Sequence, residues 1–137
     1  RFVAPVLFSR QDGIRVVATS LRSGVPLYYL PDQDYGAKDA IFVPFFGNPA
    51  ATITGLARLA TLGRARVVPC VTRMLPGGEG YEVRFYPAWE NYPSGDALAD
   101  ARRMNAFIEE RVLEMPEQYN WTHKRFKTRP EGAPGLY

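Results

Sequence analysis

An α/β layer structure is the fold class this sequence predicts, from three observations. Apolar runs of strand length alternate with segments of helical period, glycines and prolines punctuate the boundaries, and the chain is apolar enough for one core. Its 137 residues, 46% hydrophobic and 23% charged, suit one domain and are too few for two ordinary ones. That balance excludes a disordered, collagen-like or disulfide-scaffold chain. No apolar stretch reaches the roughly 18 residues of a membrane span; the longest, such as Ala40 to Phe46, are broken by proline or charge.

Gln11-Asp12 is placed to cap a helix whose apolar positions Ile14, Val17 and Leu21 recur at helical spacing, ending at Ser23-Gly24. Val25 to Leu30 is a continuous apolar run stopped by Pro31, as in a strand covered on both faces. It delivers Asp32-Gln33-Asp34-Tyr35-Gly36 into the loop at its C-terminal end. Ile41-Phe42-Val43 reads as a short extended segment and Phe45-Phe46-Gly47-Asn48-Pro49 as a tight loop. Ala50 to Thr61 reads as a small-residue helix with Leu56, Leu59 and Ala60 on one side, closed near Gly63. Arg66 to Val71 and Tyr81 to Tyr86 are expected strands, joined through the turn signal Leu75-Pro76-Gly77-Gly78. Asp96 to Met115 is the strongest helix: Leu98, Ala101, Asn105, Ile108, Val112 and Met115 share a face and Pro116 ends it.

Seventeen Lys+Arg against fourteen Asp+Glu leave a net charge of +3, and the excess is localised. From Trp121 to Arg129 the chain holds Lys124, Arg125, Lys127, Arg129 and His123 and no acid. Interleaved aromatics and cations suit phosphate groups on a lipid headgroup or nucleic acid; the same pattern also fits a solvated segment with Trp121 and Phe126 tucked on the core. Asp32 and Asp34, two residues apart at a strand end, are placed to hold a cation, orient an arginine, accept from a hydroxyl or cap a turn.

A self-contained active site is not visible. His123, the single histidine, has no acid a helical turn downstream to orient it, and there is no Gly-x-Ser-x-Gly elbow. The one cysteine, Cys70, sits in the apolar run Val67-Val68-Pro69-Cys70-Val71 and is expected to pack as a small hydrophobe. More than fifty residues separate it from His123, which matches no metal-ligand spacing. Gly77-Gly78-Glu79-Gly80 lies in a hairpin, not in the strand-to-helix context of a phosphate loop.

Three separated blocks carry a resemblance: Pro31-Asp32-Gln33-Asp34-Tyr35-Gly36; Phe42-Val43-Pro44-Phe45-Phe46-Gly47 with Ala50-Ala51-Thr52; and Met115-Pro116-Glu117-Gln118-Tyr119 with Trp121 to Gly132. Together they resemble the lipid A biosynthesis late acyltransferases of Gram-negative bacteria, the lauroyl and myristoyl acyltransferases within the lysophospholipid acyltransferase-like superfamily. The resemblance covers essentially the whole chain. It implies a glycerol-phosphate-acyltransferase-like α/β fold, a mixed sheet flanked by helices. It also places residues 1–137 as the C-terminal portion of a single acyltransferase domain, a reading with which an opening Arg1 in place of methionine agrees. The implied reaction moves a fatty acyl group from acyl carrier protein to a hydroxyacyl group of a lipid A precursor in lipopolysaccharide biosynthesis. The implied place is the cytoplasmic face of the bacterial inner membrane, with no cofactor and no metal.

Family members carry an N-terminal membrane anchor and a His-x4-Asp/Glu dyad, and neither is in this chain, so the piece alone is expected to be inactive. By resemblance, Asp32 and Asp34 position the acceptor or an active-site arginine, which Arg1 or Arg10 would supply. Phe45, Phe46, Gly47 and Thr52 belong to the substrate-binding block and the acyl groove. Trp121, His123, Arg125, Lys127 and Arg129 would meet anionic lipid, the carrier protein or the membrane surface. A competing reading is a non-catalytic basic module binding anionic lipid or nucleic acid. Nucleic acid is disfavoured because cations outside residues 121–129 are largely balanced by acids. A half-sheet is further expected to expose strand edges and apolar faces, leaving the piece oligomeric, aggregation-prone or detergent-dependent.

Overall fold

In the computed structural model, which describes residues 5–9 and 12–137, three helices and two β-hairpins carry the described chain. Arg1 and Arg10, together with Gln11 of the expected cap, lie outside the described residues. Helix α1 (Ile14–Arg22) buries Val17 and Ala18 and starts at Gly13 without a side-chain cap. It packs on α2 (Gly55–Gly63) at a close approach. A Cβ on Gly63 would stand 2.7 Å from Leu21 Cδ1 and 2.8 Å from Leu21 Cβ, so only glycine lets the helices sit this near.

The run Val25–Leu30 forms no strand and pairs with none among the described residues, which corrects the expectation of a doubly covered strand. One side rests near α2, where Tyr29 Oη lies against Gly55; the other side is open, leaving Tyr28 and Leu30 exposed.

A second correction concerns Ala50. Strands β1 (Ala40–Phe45) and β2 (Asn48–Ile53) form an antiparallel hairpin in which Val43 faces Ala50, Phe42 faces Ala51 and Ile41 faces Thr52. The connection is the two-residue turn Phe46-Gly47, both at positive φ (47° and 75°), the geometry whose twist matches that of the flanking strands. Small residues at 50–52 therefore mark a strand lying under other elements, not the start of a helix. The helix begins only at Gly55.

The second hairpin joins β3 (Cys70–Met74) to β4 (Tyr81–Phe85) through a short 3₁₀ turn at Pro76–Gly78, at the expected turn signal. Its first strand begins four residues later than the sequence suggests. Before it, Val67 and Pro69 still accept bonds from the Trp89 and Tyr86 amides. Helix α3 (Ala97–Glu114) is capped by Asp96, whose carboxylate accepts from the Leu98 and Ala99 amides, and it lies along β1.

The α/β class holds, but the mixed sheet does not form among the described residues. Each strand pairs only with its neighbour in sequence across a short turn, which makes two separate antiparallel pairs. The core gathers Val43, Phe45, Ala50 and Ala51 of the first hairpin under Ala101 and Met104 of α3. Cys70 is half-buried, on the wall of an apolar groove of about 1080 Å³ between the 24–32 segment, α2, β3–β4 and α3. No helix among the described residues is long and apolar enough to cross a membrane.

Candidate functional site

At one end of this groove the first and last sequence blocks meet. Asp34, 4% exposed, accepts from the Gly36 amide at 2.9 Å through Oδ1, closing an Asx turn that Gly36 completes at φ 93°. The same carboxylate accepts from the Thr128 hydroxyl and the Thr128 amide, each at 2.8 Å. Ninety-four residues apart in sequence, these groups fasten the C-terminal segment as a strap across the first hairpin.

Arg125 is the strap's second anchor. It is 3% exposed, with its guanidinium 5.3 Å from the Phe45 ring centroid. Its Nη1 donates to the Ala51 carbonyl at 2.7 Å and its Nη2 to Thr52 Oγ1 at 2.8 Å. Thr52 Oγ1 also accepts from Asn105 Nδ2 at 3.3 Å, and Asn105 donates in turn to the Pro44 carbonyl at 3.1 Å. Burial pulls the Arg125 pKa below its ordinary value, while Tyr119, Asp32 and Asp34 pull it back up. A cation so enclosed stays charged because charge and hydrogen bonds compensate its lost water.

Asp32 lies beside Tyr119, and both line the groove. Burial first, and the Asp32 carboxylate second, push the Tyr119 phenol well above its ordinary pKa, so it remains a neutral donor to that carboxylate. The pair puts a charged acceptor at the rim of a mostly apolar groove, whose lining also holds Arg66 and Arg111, and a hydroxyl or guanidinium can be held there. Gln118 ties the strap's approach to the second hairpin: its side chain accepts from the Met74 amide at 2.8 Å and donates to the Met74 carbonyl at 3.1 Å.

The other predicted residues fall in different places. Phe45 is fully buried, edge-on to Phe46 and in tilted contact with Tyr119 and Phe126, while Phe46 and Gly47 make the hairpin turn; none of the three lines the groove. Arg129 donates to the Pro49 and Pro134 carbonyls. Trp121 is 52% exposed, with its indole N–H on the Pro116 carbonyl. His123 is exposed and lies 3.0 Å from the Asn120 amide; Lys127 is exposed. No group of His, Cys, Asp or Glu among the described residues is arranged to hold a metal ion.

Sequence reasoning missed Asn105 as a polar partner, placing it only on the apolar face of α3, and did not assign Tyr119 or Thr128 a role. An amide within a helix's buried stripe was the available signal for Asn105.

The chain matches the family model of bacterial lipid A biosynthesis acyltransferases over residues 5–128, and it belongs to that family. It is 41% identical over 132 residues to the lipid A biosynthesis lauroyltransferase of Escherichia coli (strain K12), covering 96% of this chain and 43% of the relative. The palmitoleoyltransferase of the same strain is 37% identical over 128 residues, covering 93% and 42% respectively. Its myristoyltransferase is 39% identical over 126 residues, covering 92% and 39%. The chain thus spans about two fifths of the length of the curated relatives it matches.

Proposed function

We propose that residues 1–137 are the substrate-side, C-terminal portion of an acyltransferase that moves a fatty acyl chain from acyl carrier protein to a hydroxyacyl group of a lipid A precursor. The family membership carries this reading, and the meeting of the Asp32 and Tyr119 blocks at the groove rim supports it. In this reading the enzyme works at the cytoplasmic face of the inner membrane. The acceptor oxygen bonds to the thioester carbonyl carbon, the carbon–sulfur bond breaks, and the hydroxyl proton leaves to a base. That base is a histidine–acid dyad outside residues 1–137, so the piece alone is inactive.

Asp32 then orients the acceptor hydroxyl or an arginine beside it, with Tyr119 fixing the carboxylate. Asp34 acts one step back, by holding the strap. Arg125 and Arg129 direct donors to backbone carbonyls, which leaves Lys127, His123 and the exposed Trp121 to face phosphate and membrane surface.

The test is acyl transfer by the full-length protein with acyl carrier protein as donor and lipid A precursor as acceptor. Asp32→Asn should lower turnover roughly 10²-fold while circular dichroism shows the protein still folded at the assay temperature. Lys127→Ala should raise KM for the precursor at constant kcat. Absence of transfer by the wild type would overturn the assignment.

A further inference from the structure

The near balance of charge outside residues 121–129 holds in composition and not in space. Residues 13–31 and 40–78 contain no aspartate or glutamate. Helices α1 and α2 and the loop after α2 lie in these stretches and carry five arginines, Arg15, Arg22, Arg58, Arg64 and Arg66, all of them exposed. None of the five forms an ion pair among the described residues, where the ion pairs fall on β4 and α3.

Helix stability does not account for them. Arg15 stands in the first turn of α1 and Arg58 in that of α2, where the helix dipole disfavours a cation, and neither turn holds an acid. Arg64 takes a left-handed conformation (φ 51°) directly after α2, where glycine or asparagine is the favoured residue. Arg15 and Arg22 lie two turns apart on one face of α1. Arg22 Nη1 reaches the Leu62 carbonyl of α2 at 3.4 Å, and Leu62 is one turn from Arg58, so the arginines of the two helices form one surface. That surface borders the groove, which Arg66 lines together with Leu21, Leu56 and Leu59.

A lipid surface suits these helices less well than a protein does. An interfacial helix turns its apolar side to the bilayer, but α1 buries Val17 and Ala18 and packs Leu21 on Gly63 of α2. Neither helix carries an aromatic residue or a lysine. Outward they offer guanidinium forks, which pair with carboxylates through two bonds at once, beside the exposed Val16 and Leu62. Arginine around a small apolar centre is the make-up of a protein interface.

We propose that the arginine face of α1 and α2 docks the acyl carrier protein of the reaction above, through carboxylates on that protein's surface, and seats it at the mouth of the groove. The identity of the partner rests on the acyl-transfer reading.

Binding of labelled acyl carrier protein to the full-length protein in neutral detergent, read by fluorescence anisotropy, tests it. Wild-type affinity should fall steeply as salt rises. Arg15→Glu with Arg58→Glu should weaken binding roughly tenfold or more and flatten the salt dependence, at a melting temperature no lower than the wild type's, because each glutamate suits its helix start. Should that pair melt lower, Arg15→Gln with Arg58→Gln replaces it, with about threefold weakening expected. Lys38→Glu, exposed in the turn before β1, should bind as the wild type does. Affinity within about twofold of wild type in the reversed pair overturns the proposal. So does equal weakening by Lys38→Glu, or a wild type that binds no carrier at low salt. Unchanged carrier affinity with a raised KM for the lipid A precursor would assign the face to lipid and also overturn it. A carrier bound through these arginines without any acyl transfer would reject only the enzyme reading.

Discussion

Removing the Asp34 carboxylate should release the C-terminal strap. Asp34→Ala deletes the acceptor for the Thr128 amide and hydroxyl, each at 2.8 Å, and for the Gly36 amide at 2.9 Å. The site is 4% exposed, so water cannot take the carboxylate's place without the strap opening. Hydrogen bonds to a charged acceptor contribute about 1.5–3 kcal/mol each, and three donors sharing one carboxylate do not add, which leaves about 3–5 kcal/mol for the substitution. Because about 1.4 kcal/mol is a factor of ten, the open state of the strap should gain roughly 10²-fold or more in population. Hydrogen exchange in the full-length protein reads this through amides that do not touch Asp34. The Phe126 amide donates to the Tyr137 hydroxyl at 3.2 Å, and the Lys127 amide to the Lys124 carbonyl at 3.0 Å. Both should exchange roughly 10²-fold faster, while amides of Ala101 to Asn105 in α3 keep their rates. Asp34→Asn should fall between, since its Oδ1 still accepts from Gly36 and the Thr128 hydroxyl while its amide opposes the Thr128 N–H. Rates at Phe126 and Lys127 within about threefold of wild type would refute the reasoning.

Thr52→Val keeps shape but takes the acceptor from Arg125 Nη2 and one of two acceptors from Asn105 Nδ2 at a fully buried site, so the urea midpoint should fall by the equivalent of about 2–4 kcal/mol at unchanged slope. Gly63→Ala drives a methyl to within 2.7 Å of Leu21 and should cost about 1–3 kcal/mol. Gly55→Ala meets only the Tyr29 hydroxyl end, at 2.5 Å, which can swing toward the groove; denaturant melts should rank it the milder, and the reverse order would sink the packing argument. Tyr29, Tyr92 and Tyr119 all titrate above their ordinary value, burial being the largest cause in each. The unfolded chain releases these protons near pH about 10 while the fold still holds them. Their contribution is therefore intact below that pH and lost as pH rises through the folded values. Ultraviolet phenolate titration alongside circular dichroism should show late ionisation accompanying unfolding, and Tyr119→Phe should flatten the alkaline loss.

Local rules were sufficient for α3 and for the second hairpin. Asp96 caps where an Asp before an apolar period should, and Pro-Gly-Gly turns where it must. They failed at Ala50, because small residues are helix formers by propensity yet here pair across a Phe-Gly turn that lacks the usual Asn or Asp. They failed again at Val25–Leu30, where composition favours a strand but a neighbouring strand to pair with is a tertiary fact. The site shows the same division. Asp32, Asp34 and Arg125 stood out as unusual polar residues, yet their partners Tyr119, Thr128 and Thr52 are set by contacts spanning 73 to 94 residues for the latter two. No spacing rule reaches that far. Arg125 read as a surface cation because basic runs usually are; it is buried because the first hairpin offers it a carbonyl, a hydroxyl and an aromatic face.

The strap also sets a timetable for synthesis. Asp34 leaves the ribosome 94 residues before Thr128, an interval of about 5 to 20 s at typical elongation rates. Thr52 waits 73 residues for Arg125. Through that interval the first hairpin and the Asp34 turn exist without the groups that complete them, and loop closure over such separations comes late in folding. The growing chain therefore passes through a state whose polar core is still wet, and Arg125 and Thr128 act as the latch that commits it to the fold.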